Sequence, residues 1–158
     1  MDMLVRLYDL PPLDAEMKKM EANGIRITRA FPPNREHIVA WIKEHSSLYA
    51  AGEAECCFSA RRPTMFIASR DNEILGYACY NATAPDFFGP TKVLESEQGK
   101  GIGRALLIAS MHALREEGYG YAIIGSVGPT AFYEKCVGAI SIPDSTPGLY
   151  SDMLRIKK

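Results

Sequence analysis

The hydrophobic pattern of the first half of the chain changes repeatedly between a period of two, typical of strands, and a period near 3.6, typical of helices. From the N-terminus it predicts a strand, a helix, a strand, two helices and two strands, at residues 3–10, 13–22, 25–30, 35–45, 49–59, 64–68 and 74–80. Asn34 is the expected N-cap of the second helix, and Trp41 falls on its apolar stripe. Residues 1–24 would therefore add an extra strand and helix to a single domain at residues 1–158.

The second half begins with residues 81–90, which show no period and predict an irregular segment before a strand at 91–94. A long helix should start at once at Ile102, with an apolar stripe toward the sheet and an outer stripe, made by Arg104, Ile108, His112 and Arg115, at the surface. A strand, a short helix and two closing strands follow, at residues 121–124, 129–137, 139–142 and 150–154. This order predicts an α/β (α+β) domain with a mixed sheet flanked by helices.

Composition excludes several classes of function. The chain has 158 residues, of which 47% are hydrophobic, enough for the core of one domain. A net charge of −1, from 18 basic and 19 acidic residues, gives no general attraction for nucleic acid. No apolar run approaches the roughly 20 residues that span a bilayer, and the N-terminus lacks the pattern of a signal peptide, so we expect a cytoplasmic protein with free thiols. The four cysteines and three histidines are not at ligand spacing, so no metal site is expected.

A run of seven residues joins the strand predicted at 91–94 to the helix that follows. It reads Gln-Gly-Lys-Gly-Ile-Gly-Arg at residues 98–104 and holds three glycines. Glycine lets backbone N–H groups turn inward and approach an anion closely, and the free amides at a helix N-terminus add partial positive charge. The segment therefore predicts a site that binds phosphate.

Two common phosphate-binding loops do not fit this segment. An ATP or GTP loop needs G-x-x-x-x-G-K-[ST], but Gly101 follows Lys100, so no hydroxyl is placed to hold magnesium. A dinucleotide fingerprint has a different glycine spacing, and it needs an acid about 20 residues further on, where residues 121–126 provide none. The pattern that remains is Q-x-x-G-x-G, formed by Gln98, Gly101 and Gly103.

This pattern resembles the pyrophosphate-binding motif R/Q-x-x-G-x-G/A of the GNAT family of acyl-CoA-dependent N-acyltransferases. Residues 131–139, Ala-Phe-Tyr-Glu-Lys-Cys-Val-Gly-Ala, resemble a later motif of that family, in which a helix carries a tyrosine next to the coenzyme sulfur. The second match departs at Ser126, where many members have asparagine, and by one extra residue between Tyr133 and Gly138. The resemblance covers residues 25–154 and implies the GNAT fold, with a mostly antiparallel sheet.

The resemblance also implies a reaction, in which an amine directly attacks acetyl-CoA, the acyl donor, in a ternary complex. Tyr133 would be the general acid for the departing thiolate, and Glu95, beside the glycine loop, is the candidate base. Without the resemblance, Tyr133 would be interpreted as a packed aromatic residue. The coenzyme would be held by the end of the preceding strand, through backbone amides, and by the loop, at Val93, Leu94, Gln98, Gly99, Lys100, Gly101, Ile102, Gly103 and Arg104.

The acceptor is expected to be a primary amine of a small molecule. Residues 87–91 and 121–125 resemble a bacterial GNAT subgroup linked to amino-sugar salvage, which favours an amino sugar. Other acceptors stay open: an amino acid, a polyamine, an aminoglycoside-like drug or a protein or peptide amine. A GNAT-fold domain that senses acyl-CoA without catalysis is a further alternative, and a homodimer is expected because family members are often dimers. The candidate acceptor-binding residues are Glu53, Glu55, Asp86, Phe87 and Phe88.

Overall fold

The computed structural model describes residues 1–157. In that range five α-helices flank one seven-stranded sheet. The strands β1 to β7 are Met3–Arg6, Arg26–Arg29, Met65–Arg70, Glu73–Tyr80, Phe87–Val93, Tyr121–Ile124 and Ile140–Ser141. The helices α1 to α5 are Leu13–Ala22, Arg35–His45, Leu48–Cys57, Ile102–Glu116 and Thr130–Val137. Three short 3-10 turns lie at Pro32–Asn34, Glu95–Glu97 and Gly148–Asp152.

The sheet has the order β2-β3-β4-β5-β6-β1-β7. Strands β5 and β6 are parallel, and every other neighbouring pair within residues 1–157 is antiparallel. This mixed, mostly antiparallel sheet with helices on both faces confirms the predicted fold class.

Strand β1 lies inside the sheet, between β6 and β7. It pairs with β6 from Met3↔Ile124 to Arg6↔Tyr121 and with β7 at Met3↔Ser141. Met3 and Val5 are fully buried. The first strand of the chain is thus an interior strand, not an addition to one edge.

Each face of the sheet carries its own apolar core. Helices α1, α4 and α5 cover one face, where the stripe from Ile102 to Ala113 predicted for α4 is buried. Helices α2 and α3 cover the other face. In α2 Ile38 is buried while Trp41 is half-buried, and the side chain of Asn34 makes no capping hydrogen bond.

The prediction that the outer stripe of α4 is exposed was wrong for most of the stripe, although Arg115 is exposed. Ile108 is fully buried, and His112 is half-buried with Nε2 2.8 Å from the Pro11 carbonyl oxygen. The reason is α1, which packs along α4 and covers the side that points away from the sheet. A helix covered on two sides needs apolar residues beyond a single stripe.

The irregular segment predicted at residues 81–90 was also partly wrong, because β5 already begins at Phe87. The Gly89-Pro90 pair lies within this strand, where the β4–β5 register shifts between Ala78 and Tyr80. A bulge of this kind accommodates proline within a strand, since the bulged residue does not take part in the ladder.

The last predicted strand, at residues 150–154, does not form. The chain turns at Gly148, whose φ of 59° lies in the left-handed region, and continues as a 3-10 turn. Tyr150 then packs against the loop after β6, where a Cβ added to Gly125 would collide with the tyrosine hydroxyl. The strand at residues 121–124 has the predicted bounds. It is only partly buried, since Tyr121 is 48% exposed.

Candidate functional site

The parallel strands β5 and β6 separate at one end of the sheet. Their pairing stops at Phe88↔Ile124, where β6 ends, while β5 continues along β4 to Val93. The chain after β6 leads instead to α5. The wedge between the diverging segments contains two adjoining cavities.

The first, here called the cradle cavity, has a volume of about 650 Å³ and lies at the N-terminus of α4. Gly101, the N-cap of this 15-residue helix, has a φ of 84° in the left-handed region, and no side chain caps the helix. The first backbone N–H groups of a helix have no partner within it, and they carry partial positive charge. The cavity wall therefore offers donors suited to an anion.

Gly103 leaves room in this cavity that a side chain would occupy. A Cβ added there would lie 3.6 Å from Cζ of Phe132 and 3.8 Å from Cγ2 of Val93, which both line the cavity. These are ordinary contact distances, so the glycine is not required by the packing of the protein itself. It keeps open the space between β5 and α5.

Cations surround the cradle cavity. Lys19 and Lys92 line it, and Lys19 comes from α1, within the first 24 residues. A Cβ added to Gly101 would lie 3.5 Å from Nζ of Lys19. Sequence reasoning missed Lys19, because no local pattern relates a lysine on α1 to a loop about eighty residues away; only the packing of α1 on α4 brings them together.

One carboxylate, Glu97, also lines the cradle cavity. Arg70 and Lys100 pair with it, at 2.9 Å and 2.8 Å, and lower the pKa of Glu97 to about 2. The charge that would repel an anion is thus balanced by two cations. Among the other predicted coenzyme residues, Gln98 donates a hydrogen bond of 3.4 Å to the Val93 carbonyl, holding the loop to the end of β5.

Only one of the two strand amides predicted to contact a coenzyme is free to do so. The Leu94 amide donates to the Leu75 carbonyl at 2.9 Å, as part of the pairing with β4. Because successive amides of an antiparallel strand point in opposite directions, the Val93 amide points away from β4 and toward the wedge. The prediction for the Leu94 amide is therefore corrected, and Val93 keeps its place.

The second cavity, here called the inner cavity, has a volume of about 350 Å³. The inner cavity and the cradle cavity share four lining residues, so the two spaces adjoin at Phe88, Thr91, Pro129 and Tyr133. Its far wall contains Glu53 from α3 and Tyr150 from the last 3-10 turn. A ligand in the cradle cavity would thus meet the inner cavity at Tyr133.

Tyr133 is 8% exposed, and its ring stands edge-on to Phe88 and Phe132, with centroids 6.4 Å and 5.1 Å away. Burial, and then the neighbouring Cys136, raises the pKa of the Tyr133 hydroxyl. The phenol therefore keeps its proton at neutral pH and can act as a donor.

Glu53 is half-buried and accepts a hydrogen bond from the Thr83 hydroxyl. Of the two α3 glutamates predicted at an acceptor wall, Glu53 lines the inner cavity, whereas Glu55 is exposed and lines neither cavity. Glu95 is likewise exposed, in the 3-10 turn before the glycine loop, and does not line either cavity.

The structure does not bring Asp86 to this site. Asp86 lies near Glu117, just beyond the C-terminal end of α4, and the 15 residues of that helix separate it from the cradle by about 20 Å. Burial, and then Glu117, raises the pKa of Asp86 to about 6. Phe87 and Phe88 are strand residues, not a loop at the mouth, and of the two only Phe88 lines the cavities.

The N-terminus shapes the loop after β6. Asp2 is buried and its Oδ1 accepts a hydrogen bond of 2.8 Å from the Ser126 amide, while the Val127 amide donates to the Met1 carbonyl. Ser126, with a φ of 48°, adopts the left-handed conformation there. Asp2 was not predicted at the site, because a lone acid near the N-terminus carries no local signal.

Within residues 1–157, no helix is both long enough and apolar enough to cross a membrane. The same range contains no group of three histidine, cysteine or acidic residues arranged to hold a metal ion.

Comparison with known proteins gives a family and several similar folds. The Acetyltransferase (GNAT) family matches residues 26–139. A GCN5-related glucosamine N-acetyltransferase region of a fungal multi-domain GH3 β-N-acetylglucosaminidase has a TM-score of 0.69 at 14% identity, over 86% of this chain and 19% of that chain. A GCN5-related N-acetyltransferase from Sphaerobacter thermophilus has a TM-score of 0.65 at 19% identity, over 88% of this chain and 47% of that chain.

A GNAT acetyltransferase from Brucella melitensis, solved in complex with acetyl-CoA, has a TM-score of 0.44 at 22% identity, over 60% of this chain and 70% of that chain. No curated protein matches in sequence. This chain spans less than half of the fungal and Sphaerobacter chains. The likeness to the fungal and Sphaerobacter chains, at 14% and 19% identity, shows the fold.

Proposed function

The chain belongs to the GNAT acetyltransferase family, and from that premise we propose that it transfers an acetyl group from acetyl-CoA to the primary amine of a small molecule in a ternary complex. The observation that carries the proposal is the position of Tyr133, where the cradle cavity meets the inner cavity that holds Glu53.

The residues of the cradle cavity fit the coenzyme. The uncapped N-terminus of α4 would hold the pyrophosphate, the space left by Gly103 would admit it, and Lys19 and Lys92 would balance its charge. Acetyl-CoA, when bound, supplies the acetyl thioester. The Val93 amide is the donor placed to polarise a carbonyl oxygen in the wedge, and a donor of this kind contributes typically about 3 kcal/mol.

Two side chains would move the protons. An amine with a solution pKa of about 10 must lose a proton, and Glu53 can accept it directly or through water because its carboxylate lines the inner cavity. We assign this role to Glu53 and not to Glu95, which is exposed and lies outside both cavities. Tyr133 would give its phenolic proton to the leaving thiolate.

An amino sugar is the acceptor that the sequence favours, and it is carried into the test as one candidate. The experiment follows the release of the coenzyme A thiol from acetyl-CoA with glucosamine, glucosamine phosphate, amino acids, polyamines, arylalkylamines and short peptides, with products confirmed by mass. Tyr133→Phe should lower kcat about 10²-fold or more and leave acetyl-CoA binding, measured by calorimetry, unchanged. If the wild-type protein binds acetyl-CoA but acetylates none of these amines, a sensor is favoured instead. If the wild-type protein does not bind acetyl-CoA, the cradle assignment is overturned.

A further inference from the structure

A third cavity continues from the inner cavity toward solvent. This outer groove, of about 450 Å³, lies between α3 and the 3-10 turn Gly148–Asp152. Glu53 and Tyr150 line both spaces, so they stand where the outer groove meets the inner cavity. A molecule in the groove could therefore present one end to Glu53 while its other end reaches solvent.

The walls of the outer groove are mainly apolar. Three of its apolar side chains are unusually accessible for their type, since Leu48 is 52%, Leu149 39% and Met153 46% exposed. Exposed apolar side chains gathered in one concave surface are typical of a ligand-binding groove. Tyr49 and Ala82 add to the same surface.

The charged residues of the groove are all acidic. Glu53 lies at its inner end and Asp152 also lines it, and no lysine, arginine or histidine lines it among residues 1–157. The groove thus combines an apolar wall with negative charge, which suits a cation attached to an apolar body.

We propose that the acceptor is an apolar primary amine of the arylalkylamine type, with its body in the outer groove and its amine at Glu53. The proposal rests on the acetyl transfer proposed above. It is not the acceptor that the sequence favours. An amino sugar needs hydrogen-bond partners for several hydroxyls. The Thr83 hydroxyl already donates its hydrogen bond to Glu53, and the remaining groove wall is largely apolar. Burying hydroxyls without partners would be costly.

Cys56 offers a way to measure occupancy of the groove without catalysis. Its thiol is exposed and it lines the groove, whereas Cys57, Cys79 and Cys136 are buried. A bound ligand should therefore slow the alkylation of Cys56. The reaction with N-ethylmaleimide would be followed by mass spectrometry of the peptide that contains Cys56. Desulfo-coenzyme A would be present instead of coenzyme A, because the thiol of coenzyme A would itself consume the reagent.

In that experiment 2-phenylethylamine should slow the alkylation of Cys56 about fivefold or more at saturation, and ethanolamine and glucosamine should not. Ethanolamine is the matched control, since it carries the same primary amine without the apolar body. Equal protection by all three amines, or none by 2-phenylethylamine, would overturn the proposal.

Kinetics supply the second arm. Leu149→Ser and Met153→Ser should each raise KM for 2-phenylethylamine about tenfold, with little change in kcat. Each substitution removes apolar contact with the body of the amine, and the loss of such contact weakens binding by about this factor. The control is Ile140→Ser, since Ile140 is an exposed apolar residue on β7 that does not line the groove. A higher kcat/KM for glucosamine than for 2-phenylethylamine would leave the acetyl transfer intact and refute the acceptor class. Protection of Cys56 without turnover of any amine would refute the acetyl transfer and leave the groove assignment standing.

Discussion

The Glu16 carboxylate on α1 accepts a hydrogen bond of 2.8 Å from Nε of Arg104 in the first turn of α4. Arg104 also donates to the Cys136 carbonyl on α5, at 3.4 Å. One arginine thus joins three helices around the cradle cavity. Lys19 lies three residues after Glu16 on the same side of α1, so the ion pair also sets the distance between Lys19 and the glycine loop.

Replacing Lys19 tests whether α1 contributes to coenzyme binding. We expect Lys19→Ala to weaken acetyl-CoA binding about fivefold at low salt, since one partly solvated cation near a phosphate contributes about 1 kcal/mol. The difference from wild type should shrink as salt is added. Lys18→Ala is the matched control, because Lys18 is the exposed neighbour and does not line the cavity. Equal effects of the two variants in calorimetry would refute this role.

Removing one partner of the ion pair should cost more than removing both. Arg104→Met leaves the Glu16 carboxylate, which is 12% exposed, without its cation, and we expect a loss of about 2 kcal/mol in the free energy of unfolding. Glu16→Met with Arg104→Met should recover most of that loss, because an apolar pair needs no charge partner. Urea unfolding of the two single variants and the double variant measures the coupling. Simple additivity would show that the pair is energetically unimportant.

Gly103→Ala should separate folding from binding. The added methyl group meets its neighbours at ordinary contact distances, and alanine favours a helix over glycine by up to about 1 kcal/mol, so Tm should stay the same or rise. Acetyl-CoA binding should fall tenfold or more, because the methyl group occupies the space between Val93 and Phe132. A variant that binds normally would show that the coenzyme does not pass beside Gly103.

Asp86 should make stability depend on pH. Its pKa of about 6 in the folded state is above the ordinary value of 3.8, so the folded state holds this proton more tightly than the unfolded state does. The stabilisation is complete below pH of about 4 and is lost as pH rises through about 6. Because the side chain is only half-buried, solvent screening reduces the effect to about 1 kcal/mol.

Asp86→Asn should therefore raise Tm at pH 7.5 by about 3 °C and flatten its change between pH 4 and 6. Asparagine tolerates the φ of 67° at this position, so the substitution adds no backbone strain. Asp144→Asn is the control, since Asp144 has a φ of 56° but is exposed. Thermal unfolding at several pH values measures the effect. Identical profiles of Tm against pH for Asp86→Asn and wild type would disprove the role assigned to Asp86.

Elements with strong local signals could be predicted from the sequence. Helix α1 and strand β6 have the bounds that the pattern gave, because caps, periodicity and turn residues lie within each segment. The glycine loop at the start of α4 was found for the same reason. It needs left-handed residues, of which Gly99 and Gly101 are examples, and glycine is the residue type that adopts them easily.

Features that depend on distant pairing could not be predicted. Ile108 is buried only because α1 folds back over α4, and β5 begins at Phe87 only because β4 is beside it. The participation of Lys19, Asp2 and Tyr150 in the site has the same origin, as each reaches the wedge from an end of the chain. Local periodicity carries no information on such contacts.

The interior position of β1 has a consequence for how the protein is made. Among the seven strands β1 is synthesised first, yet both of its pairing partners, β6 and β7, lie after residue 120. The nascent chain must therefore carry an apolar strand with two unpaired edges until nearly all of the domain has been translated, a stage at which aggregation competes with folding. A fusion partner placed before Met1 would emerge beside the loop that Asp2 holds.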